Sequence, residues 1–250
     1  MLKPLRIAVQ FLTRIPVPSP GMVADKEIGR SLLWYPLVGA LLGGVLVGLY
    51  WLTDGTAPLL RAALILAVWI LITGALHLDG LADSADAWLG GLGDRERTLA
   101  IMKDPCSGPG AVTTLIVVLL LKLAALDVLV AKAQWTPLIL GPLLGRTALP
   151  LLFLTTPYVR STGLGATLAT HMPRRSAAIL VVAIATAVFS IFGRSGIVTL
   201  LACIGLFWLM RRLMIRRIGG ATGDTAGAVV EIVEMTVLLV ASLKIHPGFG

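Results

Sequence analysis

The run VTTLIVVLLLKLAALDVLVA, residues 112–131, decides the class of this protein, because only Lys122 and Asp127 interrupt its apolar character. A helix of about 20 predominantly apolar residues spans the hydrocarbon core of a bilayer. Backbone N–H and C=O groups in lipid must be hydrogen-bonded within the structure, and the run is about twice as long as a strand of a membrane barrel. The run therefore predicts a transmembrane helix.

Apolar runs of similar length recur along the whole chain. They fall at about 32–52, 58–76, 112–131, 135–154, 177–193, 196–213 and 226–244. Of the 250 residues, 57% are hydrophobic and 14% are charged, whereas soluble domains usually carry about 25% charged residues. We predict an all-α, polytopic integral membrane bundle of about seven transmembrane helices, with six as the alternative, and one membrane-embedded domain over residues 1–250.

The distribution of basic residues predicts the orientation in the membrane. With seven spans and a cytoplasmic N-terminus, the inner segments carry fifteen Lys and Arg residues and the outer ends carry four. Lys and Arg concentrate on the cytoplasmic side of membrane proteins. The same bias accounts for the net charge of +8, and no basic patch with interleaved aromatic residues is present, so we expect no nucleic-acid partner. We expect a multi-pass protein of the cell (inner) membrane whose longest hydrophilic segment, 77–111, faces the cytoplasm.

The first acidic cluster, HLDGLADSADA (77–87), lies in that segment. Asp79, Asp83 and Asp86 are spaced i, i+4, i+7, which places them on one stripe of a helix. Three like charges on one face repel one another, and a hard cation such as Mg²⁺ would make that arrangement favourable. The alternative is a solvated helix end. His77 points away from the stripe, and an interfacial histidine is as consistent with the sequence as a ligand or a base.

The second acidic cluster, GGATGDTAGA (219–228), is followed by Glu231 and Glu234. Asp224 and Glu231 share a helix face, and carboxylates inside an apolar span normally face a cavity or a charged partner. A helix that starts near Thr222 would offer N–H groups to a phosphate, with Gly223 permitting close approach; the glycines would also suit tight helix packing. Both clusters are predicted at cytoplasmic span ends, so we expect a joint site with one or two cations.

Basic side chains must balance the charge of a phosphate substrate at such a site. Our candidates are Arg14, Lys103, Arg146 and Arg160. Arg146 lies within a predicted span and needs an anionic partner, either the substrate or, in a structural role, Asp224 or Glu231. No catalytic-triad order, Cys-x-x-Cys pair, phosphate-binding loop or dinucleotide fingerprint occurs. The sequence therefore favours metal-dependent phosphoryl transfer over nucleophilic catalysis by the protein.

Several segments of this chain resemble those of the cobalamin synthase family, the adenosylcobinamide-GDP ribazoletransferases, and they occur in the same order as in that family. The matching segments are FLTRIPVP (11–18), YPLVG (35–39), 74–89 with HLDGLAD, IMKD (101–104), PYVR (157–160) with GLG (163–165), and 219–228 with Glu231. One departure is PCS (105–107), where the family pattern has a serine–arginine pair. It removes any phosphate contact expected from this loop beyond Lys103.

The resemblance implies transfer of the adenosylcobinamide phosphoryl group from adenosylcobinamide-GDP to α-ribazole, or to its 5′-phosphate, with release of GMP and with Mg²⁺ as the cofactor. The metal ligands would be Asp79, Asp83, Asp86 and Asp224; the substrate-binding residues Arg14, Lys103, Arg146, Arg160, Thr222 and Gly223; and the catalytic residues Asp83, Glu231 and His77. Besides the bilayer and the substrates, the expected partners are a second copy of the chain or other enzymes of cobalamin synthesis.

Two rival hypotheses belong to other classes. A CDP-alcohol phosphatidyltransferase also carries an Asp-Gly pair of the kind found at Asp79, but it requires a following Ala-Arg and a later pair of aspartates that this chain lacks. A cation-coupled transporter would use the carboxylates within spans as an ion path. Release of GMP distinguishes the proposed transferase from both.

Overall fold

The computed structural model describes residues 2–19 and 21–243, and every regular element in these ranges is helical. The helices are α1 Leu2–Leu12, α2 Asp25–Ser31, α3 Tyr35–Leu52, α4 Pro58–Thr73, α5 Leu76–Gly90, α6 Arg95–Ile101, α7 Pro109–Ala131, α8 Pro137–Thr155, α9 Leu164–His171, α10 Arg174–Ile218 and α11 Gly223–Ser242. A 3₁₀ turn, Leu32–Trp34, connects α2 to α3. The predicted all-α fold is confirmed.

Several of these helices are long and apolar enough to cross a membrane. In the described chain, five segments meet this requirement: Asp25–Leu52, which contains α2 and α3, and the helices α7, α8, α10 and α11. The pair α4 and α5 meets it only when taken together, and the two helices are bent by 88° relative to each other. α4 alone, at about 1.5 Å per residue, is about 24 Å long, close to the thickness of a hydrocarbon core.

Helix α10 is a hairpin of two membrane crossings. Its 45 residues would extend for about 67 Å as a straight helix, more than twice the thickness of the hydrocarbon core. At Gly193 the backbone leaves the helical region, with φ of 52° and ψ of −125°, a conformation that glycine adopts without steric strain. Val181 and Ile184 consequently line one cavity together with Leu200 and Cys203 from the other half.

The two ends of α10 meet the same end of α8. The Arg174 side chain donates to the Leu154 carbonyl at 2.6 Å, and the Arg211 side chain donates to the Thr155 carbonyl at 2.5 Å. The described chain has five segments that are long and apolar enough to cross, or six with the bent pair; seven, the preferred number from the sequence, requires the two halves of α10 to cross separately. The predicted last span ends at residue 244, which lies outside the described residues.

Helix α5 is bent away from α4 by 88° and packs against one end of the bundle. Gly80 in α5 packs against the Asp224 backbone at the start of α11. Asp86 accepts hydrogen bonds from the start of α7, and Arg217 near the end of α10 donates to the Trp88 carbonyl at 2.7 Å. Because α5 contacts the ends of three crossing helices that lie on the same side, we call this side the carboxylate end of the bundle.

Candidate active site

The bend between α4 and α5 presents the first acidic cluster at the carboxylate end. Gly74 and Ala75 have φ values of 60° and 56°, and these two consecutive left-handed residues end α4 and redirect the chain. A Cβ atom on Gly74 would overlap the side chain of Arg14, which therefore lies beside the first turn of α5. Within α5, Asp79 is exposed and Asp83 is half-buried. The predicted helical stripe of carboxylates is confirmed.

The second acidic cluster begins α11 through a reciprocal cap. The Thr222 hydroxyl accepts from the Thr225 N–H at 3.2 Å, and the Thr222 N–H donates to the Thr225 hydroxyl at 2.8 Å. This arrangement gives hydrogen-bond partners to two backbone N–H groups at the helix start. It leaves Thr222 completely buried, so its hydroxyl stabilises α11, and the prediction that it binds substrate remains untested. Gly223 and Asp224, in the first turn, are accessible.

A close contact between α5 and α11 brings the two clusters together. A Cβ atom on Gly80 would lie 2.6 Å from the carbonyl oxygen of Asp224. Burial raises the pKa of Asp83 to about 6, and the neighbouring charges of Asp79 and Asp224 add to this shift. Asp83 and Asp79 precede Asp224 by 141 and 145 residues in the sequence. The fold nevertheless places these mutually repelling carboxylates at one site. The prediction that the two acidic stretches meet at one end of the bundle is confirmed.

Arg160 is the basic residue that contacts this acidic site directly. Its Nη2 atom donates to Asp224 Oδ2 at 2.6 Å. The position of Arg160 is fixed by the preceding residues, because the Val159 N–H donates to the Ala221 carbonyl at 2.9 Å and the Ala221 N–H donates to the Pro157 carbonyl at 2.8 Å. Among the described residues, the buried Arg160 Nε atom has no hydrogen-bond partner, so the guanidinium retains a donor for an additional anion.

Asp86 differs from the other carboxylates of α5. Its Oδ2 atom accepts from the Gly108 N–H at 2.5 Å, and its Oδ1 atom accepts from the Ala111 N–H at 2.8 Å. A carboxylate at a helix N-terminus satisfies backbone donors that otherwise lack partners. Asp86 therefore holds the start of α7 against α5, and its predicted role as a metal ligand stays a prediction.

The remaining carboxylates fit an open magnesium site rather than a closed one. Within residues 2–19 and 21–243, no three His, Cys, Asp or Glu side chains are grouped closely enough to enclose a metal ion. Mg²⁺ commonly takes only one or two protein carboxylates and completes its shell with water and substrate phosphate oxygens. Asp79 and Asp224 line one cavity with oxygen donors of this kind, so the residues present fit the ion.

A second group of charges lies deeper, inside the crossing helices. Lys122 Nζ donates to Glu231 Oε2 at 2.5 Å and to Glu234 Oε2 at 2.7 Å, and Arg146 donates to Glu234 Oε1. All four side chains are buried. We call Lys122, Arg146, Glu231 and Glu234 the buried ion network, in which two positive charges balance two negative ones.

The buried ion network engages two residues that the sequence assigned to catalysis or substrate binding. Glu231 was predicted as a base and Arg146 as a phosphate contact, but neither lines the cavity that Asp79 and Asp224 share. Their charges satisfy each other through Lys122 and Glu234 instead. The anionic partner of Arg146 is Glu234 rather than Asp224 or Glu231. Lys122 was assigned no role at the site, although its mid-span position was the available signal for a buried acidic partner.

A partly open cavity of about 180 Å³ has Asp79 and Asp224 in its wall. Its walls are mainly apolar and come from α1, α3, α5, α8, α9 and α11. The aromatic and apolar side chains in the wall include Phe11, Tyr35, Leu149, Phe153 and Leu168. We call this space the base-sized cavity. His77 also lines it; this residue is 4% exposed, and among the described residues its Nε2 atom has no hydrogen-bond partner.

The last predicted phosphate contact, Lys103, lies on the loop that follows α6. Its side chain is exposed. The preceding residue, Met102, is buried and its sulfur lies 3.6 Å from the Thr222 hydroxyl. Lys103 is thus held near the start of α11 and extends toward solvent at the carboxylate end.

Comparison with known proteins places this chain in one family. Residues 4–242 match the family described as Cobalamin-5-phosphate synthase. The chain is 55% identical over 240 residues to the adenosylcobinamide-GDP ribazoletransferase of Pseudomonas syringae pv. syringae (strain B728a), covering 96% of this chain and 99% of that protein.

Two further relatives have the same name. The protein of Pseudomonas fluorescens (strain Pf0-1) is 57% identical and that of Pseudomonas putida (strain GB-1) 58% identical, each over 236 residues that cover 94% of this chain and 97% of the relative. No solved structure was found to match the chain.

Proposed function

This chain belongs to the cobalamin-5-phosphate synthase family, and we propose that it transfers the adenosylcobinamide phosphoryl group from adenosylcobinamide-GDP to α-ribazole or to α-ribazole 5′-phosphate. The observation that carries the proposal is the junction of α5 and α11, where Asp79, Asp83 and Asp224 meet beside Arg160. Carboxylates for a divalent cation and a guanidinium for phosphate are the groups that phosphoryl transfer requires.

In the proposed reaction the 3′-hydroxyl oxygen of the acceptor attacks the phosphorus that is linked to cobinamide. A new P–O bond forms, and the bond between this phosphorus and the bridging oxygen of the diphosphate breaks. GMP leaves with that oxygen, and the hydroxyl proton passes to a base. The products are the closed nucleotide loop of cobalamin, or of its 5′-phosphate, and GMP.

We assign proton acceptance to Asp83. Burial and its two acidic neighbours raise the pKa of this carboxyl to about 6, and a base is most effective when its pKa lies near the working pH. Asp83 also lies at the junction of the two acidic clusters, whereas Glu231 is paired with Lys122 inside the buried ion network. Asp83 is therefore better placed than Glu231 to take a proton from a substrate at the carboxylate end.

We assign the magnesium ion to Asp79 and Asp224. When bound, Mg²⁺ would neutralise diphosphate charge and polarise the phosphoryl oxygens. Arg160 orients the Asp224 carboxylate through its 2.6 Å bond and retains its Nε donor for a phosphate oxygen. Arg14 and Lys103, at the first turn of α5 and at the end of α6, supply further positive charge near the diphosphate.

We also propose that the carboxylate end faces the cytoplasm of the cell membrane. The helix ends and loops at this end carry most of the Lys and Arg residues of the described chain, as cytoplasmic segments do. The two rival hypotheses, a CDP-alcohol phosphatidyltransferase and a cation-coupled transporter, are disfavoured by the match to the cobalamin-5-phosphate synthase family over residues 4–242.

The test is GMP release by the purified protein in lipid vesicles given adenosylcobinamide-GDP, α-ribazole and MgCl₂. We expect turnover that disappears with EDTA and returns with added Mg²⁺. Asp79→Asn should raise the Mg²⁺ concentration needed for half-maximal rate by at least about tenfold. Asp83→Asn should lower kcat by about 100-fold or more, with that Mg²⁺ concentration little changed, because general bases contribute about 10²–10⁴-fold.

Asp25→Asn is the matched control, since Asp25 is exposed at the start of α2 and is assigned no role at the site. It should retain wild-type turnover. Absence of GMP release from folded wild-type protein, or full turnover by Asp83→Asn together with an ion flux across the vesicles, would contradict the proposed function.

A further inference from the structure

The base-sized cavity is shaped for a flat aromatic ring system. Three aromatic side chains line it, and Phe11 and Tyr35 are stacked with ring centroids 6.1 Å apart. Leu149 and Leu168, which are 4% and 3% exposed, add apolar wall from α8 and α9. Sites for small molecules combine apolar walls with a few placed polar groups. With a volume of about 180 Å³, the cavity can hold a bicyclic base but is far too small for a corrin ring.

Both substrates of the proposed function carry a flat bicyclic base, and the lining distinguishes between them. Guanine presents several donors and acceptors along its edges, and burying them without partners would be costly. The base of α-ribazole is a benzimidazole, which carries one ring nitrogen with an available lone pair and otherwise only C–H and methyl groups. The mainly apolar wall of the base-sized cavity matches the benzimidazole.

We propose that the base-sized cavity binds the benzimidazole of the acceptor nucleoside against its aromatic and apolar wall. This inference rests on the proposed function. It gives the cavity a role in the reaction, because Asp79 and Asp224 lie at the same cavity. A base seated in the cavity holds the attached ribose, and with it the attacking 3′-hydroxyl, at the carboxylates.

The experiment compares two substitutions of the same kind on one helix. Leu149→Phe fills the base-sized cavity, whereas Leu151→Phe fills a separate apolar cavity between α8 and the α10 hairpin. Binding of α-ribazole alone is measured by calorimetry in nanodiscs, and KM is measured for both substrates. We expect Leu149→Phe to weaken α-ribazole binding at least about tenfold and to leave KM for adenosylcobinamide-GDP within about twofold. Leu151→Phe should match the wild type.

A further measurement does not depend on the Leu149 variant folding. In the wild-type protein, free 5,6-dimethylbenzimidazole should inhibit competitively against α-ribazole and not against adenosylcobinamide-GDP.

The inference would be overturned by competition of the free benzimidazole with the donor alone, or by a Leu149→Phe protein of wild-type thermal stability that binds α-ribazole normally. A rise in KM for adenosylcobinamide-GDP would assign the cavity to guanine. Failure of the proposed function has a different signature, since no GMP would then be released even where α-ribazole binds.

Discussion

Asp83 illustrates how single residues at this site are arranged for chemistry at the expense of stability. Its carboxyl is partly withdrawn from water and faces two like charges, and its pKa is raised to about 6 from the ordinary value of 3.8. The folded state therefore binds this proton more tightly than the unfolded chain does. By linkage, the corresponding stability is present below about pH 4 and is lost as the pH rises through 6.

The first prediction at this scale is that Asp83→Asn stabilises the metal-free protein at pH 8 but has much less effect at pH 5. An asparagine resembles the protonated carboxyl, so the substitution removes repulsion that exists only when Asp83 is ionised. Thermal unfolding of both proteins in detergent with EDTA, at the two pH values, measures the difference. An equal shift at both pH values, or a destabilisation at pH 8, would show that Asp83 is not under this electrostatic strain.

Residues of the buried ion network should behave in the opposite way. Glu234 is completely buried and pairs with both Lys122 and Arg146. Glu234→Ala would leave two buried cations with one carboxylate, and breaking a buried pair in this manner typically costs about 3–5 kcal/mol. Denaturant unfolding in mixed micelles should show a loss of this size, whereas Glu96→Ala, at an exposed site on α6, should change stability by less than about 0.5 kcal/mol.

At the scale of the elements, the site depends on how closely α5 approaches α11. Gly80 has only a hydrogen atom where any other residue would place its Cβ atom. A Cβ atom at that position would lie 2.6 Å from the carbonyl oxygen of Asp224. Gly227 faces the same contact from α11, where an added Cβ would lie 3.2 Å from the His77 carbonyl oxygen. Two helices that carry repelling carboxylates can be held together because small residues allow backbone packing over the contact.

Gly80→Ala is therefore expected to separate the two helices and impair the site. It should lower both thermal stability and turnover, with the rate reduced at least about tenfold, because a misplacement of about 1 Å at a reacting centre can cost about 100-fold. The control is Gly48→Ala on α3, where an added Cβ meets nothing within 4 Å. That variant should retain turnover and be as stable as the wild type or more so. Unimpaired activity in Gly80→Ala would mean that the α5–α11 contact does not define the site.

At the scale of the whole molecule, the membrane crossings put the loops of the carboxylate end on one side of the membrane and the short connections on the other. Cys106 is exposed in the loop before α7, whereas Cys203 is buried within the second half of α10. The two cysteines therefore provide a reporter of sidedness and an internal control.

A membrane-impermeant maleimide should label Cys106 in inverted membrane vesicles and not in intact spheroplasts, because we propose that the carboxylate end faces the cytoplasm. Cys203 should remain unlabelled in both. A cysteine at exposed Ala57, in the loop between α3 and α4, should give the reverse pattern in a Cys106→Ser background. Labelling of Cys106 from outside would invert the proposed orientation.

The sequence by itself determined the membrane class, the all-α fold and the acidic segments that form the site. These properties follow from local physics: apolar runs long enough to span must form helices in lipid, and the Asp79–Asp83–Asp86 spacing gives one helical stripe wherever the chain goes next. The family resemblance also followed from local segments in order, and the match over residues 4–242 bears it out.

Only the tertiary structure decided which charged residues share an environment. Asp86, in the same stripe as Asp79, turns out to hold the N-terminus of α7, and Glu231, in the same stripe as Asp224, pairs with Lys122 from another helix. The 88° bend after α4 and the fold of α10 at Gly193 likewise set which helix ends meet. The energy of a charge depends on the partners and the dielectric around it, and those are contributed by helices far apart in sequence, so the pattern along one helix could not reveal them.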